Sequence, residues 1–157
     1  MALIKITDYT LHTDLDSSDS CYYLRDYIQG KGWEGGQTNS LILNLKKSVT
    51  FRNTPSYYYK ELAINQVARE IAVQMKDYSN IDDFVFCPIP PSKAKNHPEY
   101  DDRITRVLNV VSSYFEINIQ EMIINIESHD ANHIASSGRL SYSELKSKFQ
   151  FDQSLGF

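Results

Sequence analysis

Between Ser92 and Arg103, in the stretch PPSKAKNHPEYDDR, the chain carries two lysines, Lys93 and Lys95, and an arginine. Ser92 and Asn96 add uncharged hydrogen-bonding groups. Cations of this kind hold a phosphate or pyrophosphate through charge-assisted hydrogen bonds. The prolines around them restrict φ and lower the entropy cost of keeping the loop in one shape. The opposing reading is plain: Lys93 and Lys95 are solvated charges on a stiff connection, and Asp101 and Asp102 are residues of a helix first turn, where negative charge suits the dipole.

Other residue types give weaker signals for chemistry. His129 and His133 lie four apart in HDANH, a spacing that holds zinc on a helix; the neighbouring polar residues read as a loop, and no third ligand is set by spacing. Asp14, Asp16 and Asp19 lack the glycine and terminal glutamate of a calcium loop. Cys87 sits in an apolar run, where a thiol is a small inert core group. GKGWEGGQTN is not a Walker loop, and no Gly-x-Ser-x-Gly elbow exists.

The elements that must position Ser92, Lys93, Lys95 and Arg103 follow from pattern. DFVFCPIP is an almost wholly apolar run, so residues 84–90 are predicted to form an interior strand of a parallel sheet. A helix over about 57–77 precedes it, with Ala63, Val67, Ile71 and Met75 inward beside Ile64 and Ala68, and its charged residues on the other faces. A second helix over about 101–116 follows, its stripe being Ile104, Val107, Leu108, Val111 and Phe115. EINIQEMIINIES supplies another strand or two. SLILNLKK reads as a strand, residues 2–13 as a weak strand, and CYYLRDYIQ as a short helix that Gly30 stops. Trp33 is placed back against the core. Ser141 and Glu144 have capping-box spacing, which starts a last helix. The expected fold is therefore α/β, a mostly parallel sheet flanked by helices.

The chain has 157 residues, 41% apolar and 23% charged, with a formal net charge of −4. That composition suits one soluble domain and argues against a nucleic-acid partner. No apolar run reaches the roughly 20 residues of a membrane span, the N-terminus is not a signal peptide, and two distant cysteines suit a reducing cytoplasm.

In motif order, LILNLKK, then ELAINQVAREIA, then FVFCPIPPSKAKNHPEYDDRITRVL resembles the ComF-type branch of the phosphoribosyltransferase superfamily. HIASSGRLSYSELKSKFQF loosely resembles a later stretch of the same branch, so the likeness covers roughly residues 40–151. It implies an incomplete type I phosphoribosyltransferase-like core over 51–157, an N-terminal hood-like region over 1–50 holding Lys46 and Lys47, and one compact unit. It also implies that Ser92, Lys93, Lys95 and Arg103 lie near the pyrophosphate of phosphoribosyl pyrophosphate, with magnesium if the protein is catalytic. In that family an apolar strand, two acids and a Thr-x-Gly-x-Thr-like turn follow the segment matched by KFQF; here the chain reads FDQSLGF. The expectation is a truncated or split piece, completed by a missing C-terminal half or a protein partner, or a relative that lost the chemistry. The function expected is binding of phosphoribosyl pyrophosphate, pyrophosphate or a nucleotide without turnover by this chain alone. The alternative is a non-catalytic protein-interaction or regulatory module on the same scaffold.

Overall fold

The computed structural model describes residues 2–10, 15–129 and 140–155. The chain separates into two units, Met1–Asn44 and Leu45–Phe157. In the first, β1 (Ile4–Lys5) pairs antiparallel with β2 (Tyr22–Tyr23). A 3₁₀ turn at Gly32–Gly35 leads into α1 (Gly36–Leu45). Asn39 ties this region together. Its Oδ1 accepts from the Ile28 N–H at 3.0 Å, and its Nδ2 donates to the carbonyls of Ile28 and Gly32, both at 2.9 Å. The side chain is fully buried, and a Cβ at Gly35 would overlap it, so the glycine is required by space.

Three expectations reverse here. SLILNLKK is not a strand: Ser40–Leu45 is the second half of α1, with Leu41 and Leu45 buried at helical spacing. CYYLRDYIQ is not a helix. Tyr22 and Tyr23 form β2, and the ladder continues as the Ile6 N–H donates to the Cys21 carbonyl at 2.9 Å. Adjacent aromatics suit a pleated surface better than a short helix. Trp33 is 56% exposed and does not return to a core.

In the second unit, α2 (Tyr58–Met75) packs on α3 (Arg103–Val111). The buried face of α2 is Lys60, Ala63, Ile64, Ala68, Ala72 and Met75, and that of α3 is Val107, Leu108 and Val111. Val67 and Ile71 sit at the margin, and Ile104 is exposed. An ion pair between Arg106 and Glu61 closes one side of this packing. α4 (Tyr142–Ser147) begins at the expected capping box, Ser141 with Glu144.

The mostly parallel sheet does not form. Among the described residues there are three two-stranded sheets, and one of them is parallel. That pair joins β3 (Val85–Phe86) to β4 (Asn118–Ile119). β5 (Ile123–Asn125) pairs antiparallel with β6 (Phe149–Phe151). A helix-flanked, phosphoribosyltransferase-like parallel core is therefore not the architecture. Residues 84–90 are not an interior strand either: Phe84 and Val85 are 47% and 43% exposed, and Ile89 is 77% exposed. The cause lies in Pro88, Pro90 and Pro91, which have no N–H for a ladder and end β3 after two residues. A tight turn at Gln120–Met122, where the Met122 N–H donates to the Gln120 carbonyl, separates β4 from β5 and sends β5 to another partner. Among the described residues no helix is long and apolar enough to cross a membrane.

One polar group holds three segments of the second unit together. Lys60 has no exposed surface. Its Nζ donates to the Leu45 carbonyl at 2.9 Å, to the Lys47 carbonyl at 2.8 Å and to Asp101 Oδ2 at 2.7 Å. An ammonium has three N–H donors, and all three are met. Breaking a buried ion pair from one side leaves the other charge uncompensated and costs about 3–5 kcal/mol. Lys60→Ala is expected to lower stability by that order in urea unfolding; a loss of less than about 1 kcal/mol, the worth of an exposed pair, would show that the lysine does not tie the unit together.

Candidate functional site

The loop that carries the expected anion-binding residues is fastened down. Asn125 Nδ2 donates to the Pro91 carbonyl at 3.0 Å, the Ala94 N–H donates to Ser128 Oγ at 2.9 Å, and the His129 N–H donates to the Ser92 carbonyl at 2.9 Å. Further on it coils in turns, His97 N–H to the Ala94 carbonyl and Tyr100 N–H to the His97 carbonyl, both 2.9 Å. It is not extended, so the alternation that would send Lys93 and Lys95 to one side does not apply.

The four expected residues consequently part company. Lys95 forms an ion pair with Glu121, whose other oxygen accepts from Thr105 Oγ1 at 2.8 Å. This cluster lines a space of about 10 Å³, enough for one water and no more. Ser92 is fastened through its carbonyl, and neither it nor Lys93 lines this space or the groove at the end of β3. Arg103 faces a different space, a groove of about 500 Å³ at the carboxyl end of β3.

That groove has a mixed lining. Phe86, Cys87, Pro88, Ile89, Pro90, Pro91, Ile104 and Leu108 make it apolar, while Lys46 and Arg103 bring positive charge and Asp101 negative charge. Lys46 lies just past α1 and is exposed. Lys47 is engaged elsewhere: its Nζ donates to the Ser56 carbonyl at 2.8 Å and stands 5.3 Å from the centre of the Tyr59 ring. Arg103 opens α3, and its guanidinium is 3.5 Å from Asp101 Oδ2. Its backbone N–H donates to Asp101 Oδ1 at 3.2 Å, while the N-cap residue Asp102 makes no side-chain cap bond. Asp101 thus meets Lys60, Arg103 and the start of α3 at once. Burial pulls the Lys60 pKa below 10.5 and the Asp101 carboxylate opposes that pull; three oxygens facing three N–H bonds is the arrangement of the charged form.

Lys60 is the residue that pattern reading passed over, and Lys46 was placed only in the hood-like region. Lys60 lies four before Ile64 and eight before Ala68, on the buried stripe itself. A charge in register with a core face was the available signal. For Lys46 no spacing signal existed, because its place on the groove depends on where α1 ends. His129 stacks edge-on to Phe149 with ring centres 6.2 Å apart; His133, and with it the histidine pair, lies outside the described residues. Among the described residues no group of three or more histidine, cysteine or acidic side chains is placed to hold a metal ion. Cys21 and Cys87 are free thiols.

The Lys95–Glu121 pair has a testable pH signature. Burial pushes the Glu121 carboxyl up, but the hydrogen bonds from Lys95 and Thr105 outweigh it and leave it below 4.5. The hydrogen bond to Glu121 raises Lys95 above 10.5, against a smaller effect of burial. The stabilisation from Glu121 is therefore present above 4.5 and lost as pH falls through its lowered pKa; that from Lys95 is present below 10.5 and lost as pH rises through its raised pKa. NMR titration of the Glu121 carboxyl is expected to show a midpoint below 4.5 that moves up in Lys95→Ala. An unmoved midpoint would mean the pair does not persist in solution.

No family model, no curated protein and no solved structure matches the chain.

Proposed function

We propose that the chain binds a small phosphorylated ligand, with its phosphates held by Arg103 and Lys46 in the groove beyond β3. The observation that carries this reading is the combination, in one groove of about 500 Å³, of two cations, a helix start and an apolar wall. An anion gains charge-assisted hydrogen bonds from the cations and a favourable field from the first turn of α3. The apolar wall of Phe86, Pro88 and Ile104 takes the flat or aliphatic remainder of the molecule. The motif order that resembles phosphoribosyltransferases supplies the candidates, phosphoribosyl pyrophosphate, pyrophosphate or a nucleotide. Of the residues first expected at the phosphates, Arg103 is kept and Lys46 is added. Lys95 is left out because Glu121 neutralises it.

Binding without turnover by this chain alone is part of the proposal. The groove's one carboxylate, Asp101, is occupied by Lys60 and by the start of α3, which leaves no acid or base poised for a reacting group among the described lining residues. Magnesium enters only with turnover, carried on the ligand's phosphates. A cytoplasmic setting agrees with the two free thiols.

A second reading, a protein-interaction or regulatory module, is favoured by the exposure of Phe84, Val85, Ile123 and Phe151. Titration calorimetry with pyrophosphate at low salt separates the two. Wild type is expected to bind, more weakly as salt rises because the groove is open and screened. Replacing both Lys46 and Arg103 by alanine should weaken binding at least tenfold, since a hydrogen bond to a charged group contributes about 1.5–3 kcal/mol, whereas Lys93→Ala with Lys95→Ala should leave it unchanged. No binding by wild type, or equal loss in both double variants, would overturn the reading; no binding together with concentration-dependent self-association that Val85→Lys abolishes would favour the second.

A further inference from the structure

Arg103 stands beside a carboxylate, and on simple electrostatics that carboxylate should take it away from any ligand. Asp101 Oδ2 lies 3.5 Å from the guanidinium but 2.7 Å from Lys60 Nζ. The nearer partner comes from α2, has no exposed surface, and cannot swing away because two carbonyls, those of Leu45 and Lys47, hold it from the other side. Arg103 by contrast keeps a quarter of its side chain in solvent. The geometry points to Lys60 as a positioning residue for the anion groove: by holding Asp101 and cancelling its charge from beneath, it leaves Arg103 available to a phosphate. This inference rests on the anion-binding reading above and deepens it.

The physical argument concerns competition for one carboxylate. An arginine and an aspartate at this distance close into a two-pronged pair when nothing else engages the acid. In that pair the arginine's field is cancelled and its donors are used. Lys60 shifts the competition because it is already desolvated and immobile, so its bond to Asp101 demands no further ordering. Its own charge also adds to the positive field at the groove floor. The anchors at Leu45 and Lys47 flank Lys46, so the same lysine that holds Asp101 fixes the backbone on either side of the groove's second cation.

A residue needed only for folding and a residue that frees Arg103 differ in how they respond to removal of Asp101. Pyrophosphate binding at low salt would be measured by calorimetry on wild type, Lys60→Met, Asp101→Asn and the double variant, each checked by circular dichroism and thermal melting. Lys60→Met is expected to lose affinity roughly tenfold or more, the worth of one hydrogen bond to a charged group. The double variant should recover most of that loss, because asparagine no longer competes for Arg103. Asp101→Asn alone keeps one oxygen, which serves Lys60 or the Arg103 N–H but not both; it removes the charge that competes for Arg103, and with its fold checked it should bind at least as tightly as wild type. A folded double variant that binds no better than Lys60→Met would overturn the positioning role, as would wild-type affinity in Lys60→Met. If Lys60→Met does not fold, Asp101→Asn decides the matter, and weaker binding than wild type overturns the inference. Absence of binding by wild type itself would instead overturn the anion-binding reading on which this one stands.

Discussion

Taking an ammonium out of water costs several kcal/mol, and the second unit meets that cost at Lys60 with one oxygen for each N–H. The match is unforgiving. Its acceptors come from the end of α1, from the residue two further on, and from the junction ahead of α3, while the donor rides on α2. None of these segments can move without stranding a buried donor or acceptor. The positions of Lys46, Arg103 and the α3 start are consequences of that one arrangement.

The polar loop before α3 is governed by a separate set of contacts. Asn125, Ser128 and His129 stitch Pro91, Ala94 and Ser92 to the end of β5 and the segment after it, and Glu121 takes Lys95. The loop therefore acts as a wall, with its prolines facing the groove. Its lysines, which look like the chemistry when written as a string, are not groove residues. Charge reaches the groove from Lys46 and Arg103, on either side of the Lys60 anchor.

Three helices, α2, α3 and α4, were legible because their signals are local. α2 and α3 follow from apolar spacing, and the Ser141–Glu144 box starts α4 where its spacing says it should. β1, β4 and β5 lie in segments that read as strands, but which strands pair was not legible, because an apolar run has no direction of its own. FVFCPIP looks buried by composition, yet whether a run is interior depends on what covers it, and three prolines remove the hydrogen bonds that a covering strand would need. SLILNLKK failed for a related reason: its leucines satisfy a strand and a helix alike, and the choice is made upstream, where Gly36 at φ 84° redirects the chain into α1. Among the residues expected at the site, Arg103 stands at a helix start that apolar spacing located. Lys95 pairs with Glu121, 26 positions away, and no spacing rule reaches that far. Lys60 was hidden by the habit of assigning charges to the solvent face.

The short parallel ladder of β3 and β4 leaves a strand margin with exposed Phe84 and Val85 beside it. Such margins are templates for misassembly, since a second chain can add its own backbone to the open row of N–H and C=O groups. Here the template is only a few residues long. Pro88, Pro90 and Pro91 offer no N–H to an incoming chain, so an added strand would run out of partners shortly after Phe86. The rigid wall of the groove thus doubles as a colloidal safeguard: the aromatic strip stays accessible, while growth of a cross-β stack from it is cut short by the covalent chemistry of three imino acids.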